Sequence, residues 1–581
     1  MKFSEESRIG ELLKNEQTSL IFNRHLPELA GSAHLDFLKW QTLGKVIHSN
    51  DEWGFLPERA VALLAELADV EVLEEDSGEI APLEVAEDES VVRASAPVSM
   101  TRRGGRWDVF EFTLHGPALG NPFTDVTLHA EFTHGECTLR VPGFYDGEGI
   151  YRIRFMPDTY GMWLYRTYSN ARSLDGIQGE FYCSETRDWN HGPVRVKDTF
   201  HFSYEDGTRY IPVGTTCYAW THQGEQLEEE TLHTLAASPF NKIRMCVFPK
   251  SYAYNSNEPE HYPFEGSLQD GWDFTRLNPI FFRHLEQRIE QLGDLGIEAD
   301  LILFHPYDRW GFQEMKKGVD DRYLNYMVAR LAAYRNVWWS LANEYDFMWA
   351  KREEDWERFA SIIKANDPYN HLISIHNGLT FYDYERSWVT HCSIQRIDLY
   401  KTAESTNEWR DRWNKPIVID ECAYEGDIDA GWGNITGEEM VRRFWEGAIR
   451  GGYVGHGETY VHDEDILWWS KGGILHGASP KRIEFLKTLM EEGPAHGWNP
   501  IPGAWDAPSA GIRDEYILHY YGFNQPRFKV YRMKPGIQYH VDVIDTWNMT
   551  VTRQEGVYEG IFRVELPGRP YMAVRLTKMN E

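Results

Sequence analysis

Two glutamates in this chain each close an apolar run. Glu344 ends NVWWSLANE and Glu421 ends PIVIDE. Runs of β-branched and aromatic residues that stop abruptly on a polar one read as buried strands, each delivering a side chain to its C-terminal end. Two carboxylates so placed can cleave an acetal. One, kept neutral, protonates the leaving oxygen; the other, ionised, meets the oxocarbenium-like centre. Burial and mutual repulsion push their pKa values apart and so assign the roles. A single strand-end glutamate is more often half of an ion pair, so the pair carries the reading, not either residue alone.

The elements that must position them alternate strand and helix from 191 to 495, the mark of a parallel sheet. Eight strand candidates can be counted: IPVGTTCYAW, FNKIRMCVFP, IEADLILFHP, NVWWSLANE, HLISIHNG, WVTHCSIQ, PIVIDE and GGYVGHGETY. Eight such units predict an α/β fold of the (β/α)₈ TIM barrel type, with the active site at the C-terminal ends of the strands. Polar and aromatic residues collect at those ends and are the candidates for substrate binding. They are Trp220 and His222 after strand 1, His305 and Asp308 after strand 3, and Asn343 beside Glu344. His376 and Asn377 follow strand 5, Gln395 ends strand 6, and Glu458 and Trp468 follow strand 8. Each has a plain rival: a hydrogen-bonded core histidine, an ion pair or simple packing.

The flanks differ in pattern. Residues 1–70 show helical spacing of Ile9, Leu12, Leu13, Leu20, Ile21 and Phe22, with a second helix opening at Pro57. An accessory or oligomerisation role, a homo-oligomer in the second case, is the default for this segment. Residues 71–97 form an acidic linker, with nine acidic and no basic side chains between 71 and 90. Short alternating strands predict an Ig-like β-sandwich over 98–190 and a second β-sandwich over 500–581.

Composition narrows the partners. The net charge of −31 argues against nucleic acid, anionic membranes and strongly anionic polymers. The 22 Trp, 31 Tyr and 29 Phe include flat faces suited to the C–H faces of sugars, although most must be core. Six cysteines show no CxxC and no zinc spacing, and neither HExxH nor a strand-1 HxH is present. No cofactor and no metal are therefore expected. MKFSEESRIGELL lacks a basic-then-apolar leader and no transmembrane-length apolar run follows, so the expectation is a cytoplasmic protein.

The strand ends SLANE and PIVIDE resemble those of the clan-A glycoside hydrolases, which are (β/α)₈ enzymes. The layout of sandwich, barrel and sandwich is also similar to apiosidase-like and uncharacterised bacterial barrel hydrolases. The resemblance implies that Glu344 is the acid/base, Glu421 the nucleophile, and Asn343 a contact of the sugar 2-hydroxyl. It implies a retaining glycosidase working by double displacement on a carbohydrate. An exo-acting enzyme on oligosaccharides or small plant glycosides is expected, its pocket closed by a loop such as 458–473. Two rivals come from other classes. A metal-dependent barrel hydrolase would need a bound metal, and a non-catalytic carbohydrate-binding protein would keep the aromatics but need no proton donor beside a nucleophile.

Overall fold

The computed structural model of the chain describes residues 2–32, 35–48, 57–70, 77–100, 103–398, 400–461, 467–503 and 505–579. At its centre lies a parallel barrel of eight strands: β1 (Gly214–Thr216), β2 (Lys242–Cys246), β3 (Glu298–Phe304), β4 (Val337–Ala342), β5 (Ile373–Ser374), β6 (Cys392–Gln395), β7 (Ile417–Glu421) and β8 (Tyr453–His456). β1 pairs with both β2 and β8, and the other neighbours follow in chain order. The seam between β5 and β6 is carried by an isolated parallel bridge, His376 to Ser393. Every one of these strands falls inside a run read from the sequence.

Strands buried on both faces give continuous apolar runs, which is why these were legible. The exceptions are charged. Lys242 and Arg244 stand two apart on β2 and so share one face of the strand. Lys242 Nζ donates to Asp300 Oδ2 of β3 at 2.6 Å and to Asp420 Oδ1 of β7 at 2.9 Å, with all three side chains wholly buried. The outer helices start on ordinary signals. Pro279–Asp294 has Pro at its first position and Asn278 accepting from Ile280 N, and Thr436 caps Gly437–Ile449.

Around the barrel, strands from Val98–Met100 to Gln178–Ser184, antiparallel except where Arg103–Gly105 pairs with Gln178–Ser184, form a β-rich unit. Its apolar core runs without a break into that of the barrel. Buried charges cross the joint: Arg154 Nη2 donates to Glu286 at 3.0 Å, and Arg330 Nη1 donates to Asp146 at 2.8 Å. A second antiparallel unit spans Ser509–Ile512 to Met572–Lys578. It packs on the barrel through Tyr520 stacked on Trp445, with centroids 5.1 Å apart, and through Arg575 paired with Glu492 at 2.6 Å.

The N-terminal helices, including Ile9–Lys14, Glu16–His25 and Pro57–Ala68, gather about a separate small core of Ile9, Leu12, Phe22, Leu43, Leu63 and Leu67. The acidic stretch was expected to be a free, solvated linker. Residues 71–76 lie outside the described residues. The remainder is largely exposed yet laid along the barrel and the sandwich: Gly318 N donates to Ser77 O at 2.8 Å and Ser173 N to Glu87 Oε2 at 2.7 Å. Its backbone and two glutamates, Glu79 on Lys317 and Glu87 on Ser173, find partners there that its apolar content could not supply. Among the described residues, no helix is long and apolar enough to cross a membrane.

Lys242 is the cation shared by two buried carboxylates. Lys242→Met should therefore cost about 3–5 kcal/mol, the usual penalty for stranding a buried charge. Asp300→Asn, which leaves the Lys242–Asp420 pair intact, should cost clearly less. Denaturant midpoints of the two variants check the order.

Candidate active site

Glu421 is the last residue of β7, and three groups converge on one of its oxygens. Arg244 Nη1 donates to Oε1 at 3.2 Å, the Tyr218 hydroxyl donates to the same atom, and His376 Nε2 lies 3.1 Å from it without hydrogen-bond alignment. None of these three takes Oε2. Burial, the largest influence, would raise the pKa of this carboxyl. His376 in its imidazolium form, Arg244 and Tyr218 together overcome it and hold the group well below the ordinary carboxylate range.

Behind His376 a short relay fixes the ring. The Ser393 hydroxyl donates to Asp420 Oδ2 at 2.6 Å, so its oxygen is left to accept from His376 Nδ1–H at 2.9 Å. Asp420 is the same carboxylate that Lys242 pairs at the bottom of the barrel. The seat of Glu421 is thus tied to the buried ion cluster.

Glu344 follows β4 and is built differently. Its backbone is left-handed, with φ 50° and ψ 54°, a conformation costing a non-glycine residue about 1–2 kcal/mol. The Tyr307 hydroxyl donates to Oε2, Asn343 Nδ2 donates to Oε2 at 3.2 Å, and Gln395 Nε2 donates to Oε1 at 3.2 Å. Among the described residues no cation lies within ion-pair distance of it. Burial first, and then the charge of Glu421, push its carboxyl up to about 7, with Lys250, Tyr307 and Gln395 opposing. Asn343 ties the two halves together: its Oδ1 accepts from Arg244 Nη2 at 2.9 Å while its Nδ2 serves Glu344.

Lys250, wholly buried, interacts electrostatically with both carboxyls. Its ammonium lies 3.4 Å from the centroid of Tyr218, 4.3 Å from Tyr307, 4.5 Å from Tyr252 and 5.6 Å from Trp469. Ring faces offset part of the lost hydration, but burial still lowers its pKa. Trp469 continues the aromatic wall, with Trp432 at 5.1 Å and Tyr254 and Tyr424 each at 5.6 Å.

Of the residues singled out in the sequence, the fold brings Glu344, Glu421, Asn343, His376 and Gln395 together. Asn377 supports them, its Oδ1 accepting from Gln395 N at 3.1 Å. The others are committed to the protein itself. Trp220 Nε1 points at Met245 Sδ, and His222 Nε2 bonds Val247 O at 3.0 Å while its ring stacks on Phe281. His305 Nε2 bonds Phe248 O at 3.1 Å, and Asp308 accepts from Trp310 N and Gln313 N, each at 2.7 Å. Trp468 is buried, with Nε1 on Thr215 Oγ1 at 2.8 Å. Glu458 accepts the backbone N–H of His476 and Gly477. With Glu425 and His456 it forms, among the described residues, the one group able to hold a metal. Glu425 is likewise occupied, accepting from Ala478 N and Ser479 N at the start of a helix. Residues 462–466, the middle of the loop expected to close the pocket, lie outside the described residues.

Sequence reading missed Arg244, Lys250 and Tyr307. A signal existed for the first: an arginine two residues from a lysine inside an otherwise apolar strand must find buried partners.

The chain is similar to known proteins over most of its length. The family model described as "Apiosidase-like, catalytic domain" matches residues 197–496, just over half of the chain. Two families described as domains of unknown function, DUF5060 and DUF5605, match residues 104–170 and 505–577. A solved structure from Bacteroides vulgatus, titled as a candidate glycoside hydrolase, is 40% identical. It covers 82% of this chain and 100% of its own, with a TM-score of 0.79. A glycoside hydrolase family 5 protein from the same organism shares the fold at 15% identity and a TM-score of 0.53, covering 68% of this chain and 95% of its own. No curated protein matches the chain.

The unequal surroundings give a direct test. Glu344 should carry its proton at pH 6 and lose it near 7, while Glu421 stays ionised throughout. Infrared difference spectra of the protein against Glu344→Gln should show a carboxyl band fading across that interval. Lys250→Met removes a positive charge that favours ionised Glu344, so the fading should move to higher pH.

Proposed function

The chain belongs to the apiosidase-like family of glycoside hydrolases, and from that premise we propose that it is a retaining enzyme acting by double displacement. The observation that carries the reading is the division between the two strand-end glutamates. Glu421 is held ionised with its three partners on Oε1, which leaves Oε2 to attack the anomeric carbon. Glu344 is held neutral with two donors on Oε2 and a single one, Gln395, on Oε1, so the less occupied Oε1 carries the proton given to the leaving oxygen.

In the first step the anomeric carbon–oxygen bond breaks as the Glu421 carboxylate bonds to that carbon and the Glu344 proton passes to the departing alcohol. In the second, Glu344, now ionised, takes a proton from water, and the water oxygen displaces Glu421. Arg244 and Tyr218 share the returning negative charge on Glu421 Oε1. Asn343 stands between both glutamates, the place from which an amide can bond the sugar 2-hydroxyl.

The wall of Trp469, Trp432, Tyr252 and Tyr254 beside the pair supports a carbohydrate substrate, since ring faces stack on sugar C–H faces. We read the substrates as oligosaccharides or small glycosides cut from one end, with the loop after β8 as one wall of the pocket.

Glu421→Ala should abolish turnover of every substrate, because no glycosyl-enzyme forms. Glu344→Ala should lower rates on poor leaving groups by roughly 10²–10⁴-fold and spare dinitrophenyl glycosides in the first step. Azide should then restore turnover and yield a glycosyl azide. Equal losses on good and poor leaving groups, without azide rescue, would remove Glu344 from the acid/base role. Proton NMR of a fresh reaction checks the stereochemistry: the first product should keep the substrate's anomeric configuration. The opposite anomer appearing first would make Glu421 a base acting through water.

A further inference from the structure

The turn that carries Glu344 is held from outside the barrel. After the left-handed Glu344 the chain makes a short 3-10 turn, Tyr345–Phe347, and then runs to Arg352. On the barrel side this segment is pinned by Tyr345 N donating to His376 O at 3.0 Å. Asp346 also accepts from Gly378, Leu379 and Thr380 N–H at 2.6 to 2.8 Å. On its other side lies the N-terminal helical unit. Arg8 Nη1 reaches three backbone carbonyls there, those of Met348 at 2.8 Å, Trp349 at 2.9 Å and Lys351 at 2.6 Å. The Trp349 ring lies against Gly10, so closely that a Cβ at Gly10 would overlap it. Glu11 pairs with Arg352, and Trp40 packs on Phe347 with centroids 4.9 Å apart.

These contacts cluster on one target. All of those just named fall on the nine residues that begin with Glu344, although the unit has its own core and also faces the segment from Glu314 to Asp320. The target is also the part of the site with something to lose. A left-handed backbone at a non-glycine residue persists only where its surroundings over-determine it. Backbone carbonyls that turn away from the helix that follows, Glu353–Asn366, also need donors. Met348 O accepts from Lys351 N at 3.2 Å as well as from Arg8, and Arg8 serves Trp349 O and Lys351 O.

We propose that the N-terminal helical unit is a positioning element of the glycosidase, with Arg8 fixing the turn behind Glu344 and so the aim of the proton it delivers. This rests on the acid/base assignment above. Arg8 touches no substrate; it acts through the backbone. A displacement of about 1 Å at a reacting group can cost 10²-fold. In the first step the loss should therefore appear only where the leaving group needs the proton.

The test uses the full-length chain with Arg8→Ala, Arg8→Lys and Gly10→Val, the last pushing Trp349 away without touching Arg8. Arg8→Ala and Gly10→Val should lower kcat/KM on an alkyl or unactivated aryl glycoside by about tenfold or more, and change kcat/KM of the dinitrophenyl glycoside, which reports the first step alone, by less than twofold. The high-pH limb of kcat/KM should move, since the surroundings of Glu344 change. Arg8→Lys, which keeps one nitrogen donor for the carbonyls, should recover part of the loss. Equal falls in kcat/KM on both substrates, or no fall in protein whose near-UV circular dichroism shows the helical unit still docked, would overturn the proposal. Glu344→Ala measured in parallel separates the two readings. If that variant shows no leaving-group dependence, the acid/base assignment fails. If it does and the Arg8 variants do not, the positioning role alone fails.

Discussion

A negative charge inside a barrel needs a positive one beside it, and here a single strand and its extension supply the positive ones. Lys242, Arg244 and Lys250 all come from β2 or the residues just beyond it. The first neutralises Asp300 and Asp420 at the bottom of the barrel, and the second holds Glu421 at the mouth. The third stands among rings near both glutamates. In a medium of low dielectric each pairing is strong, and each vacancy is costly. β2 therefore sets more than the register of the barrel. Glu421 has a guanidinium within 3.2 Å and is ionised; Glu344 has none among the described residues and is neutral. The chemical asymmetry of the pair follows from where the buried Arg244 reaches: directly to Glu421 on β7, and towards Glu344 only through Asn343.

That account shows why part of the site could be read from the sequence and part could not. The eight strands were legible because burial on two faces forces continuous apolar runs, and the pair because each run ends on a carboxylate. His376, Asn343 and Gln395 also met the pair as residue type and place suggested. Direction is what a strand end does not reveal. His305 and Tyr307 lie two residues apart in one loop, yet the histidine turns to Phe248 O while the tyrosine reaches Glu344. Trp468 and Trp469 are neighbours, and the first is spent on Thr215 while the second joins the aromatic wall. Arg244 was hidden for the opposite reason. It sits in mid-strand, where a search confined to strand ends does not look, although the Lys242–Arg244 spacing marks one inward face.

The flanking units obey the same rule of pairing. Arg154, Arg330, Glu286 and Asp146 bring buried charge to the joint between sandwich and barrel, where both partners are lost to water together. Such a joint contributes little net stability for the charge it buries, but it tolerates few alternative dockings, because any shift strands a charge. The shared apolar core supplies the adhesion and the ion network supplies the geometry. The acidic stretch along the outside carries no comparable core, and there the backbone itself makes the contacts.

Lys250 shows how far the two glutamates are one device. The Tyr218 ring under its ammonium carries the hydroxyl that donates to Glu421, and the Tyr307 ring carries the one that donates to Glu344. A cation over a ring face leaves the hydroxyl at the ring edge more acidic and so the better donor. One ammonium thereby strengthens the donors to both carboxyls while attracting both directly. The two effects have the same sign at each glutamate, so Lys250 cannot be what separates them. It lowers both pKa values together, and Arg244 with His376 opens the gap. With Arg244 alone, Glu344, buried beside another carboxylate, would be held still further above the ordinary carboxylate range. The lysine, with Tyr307 and Gln395, opposes that rise, and the carboxyl stands at about 7, where giving and taking a proton are equally accessible.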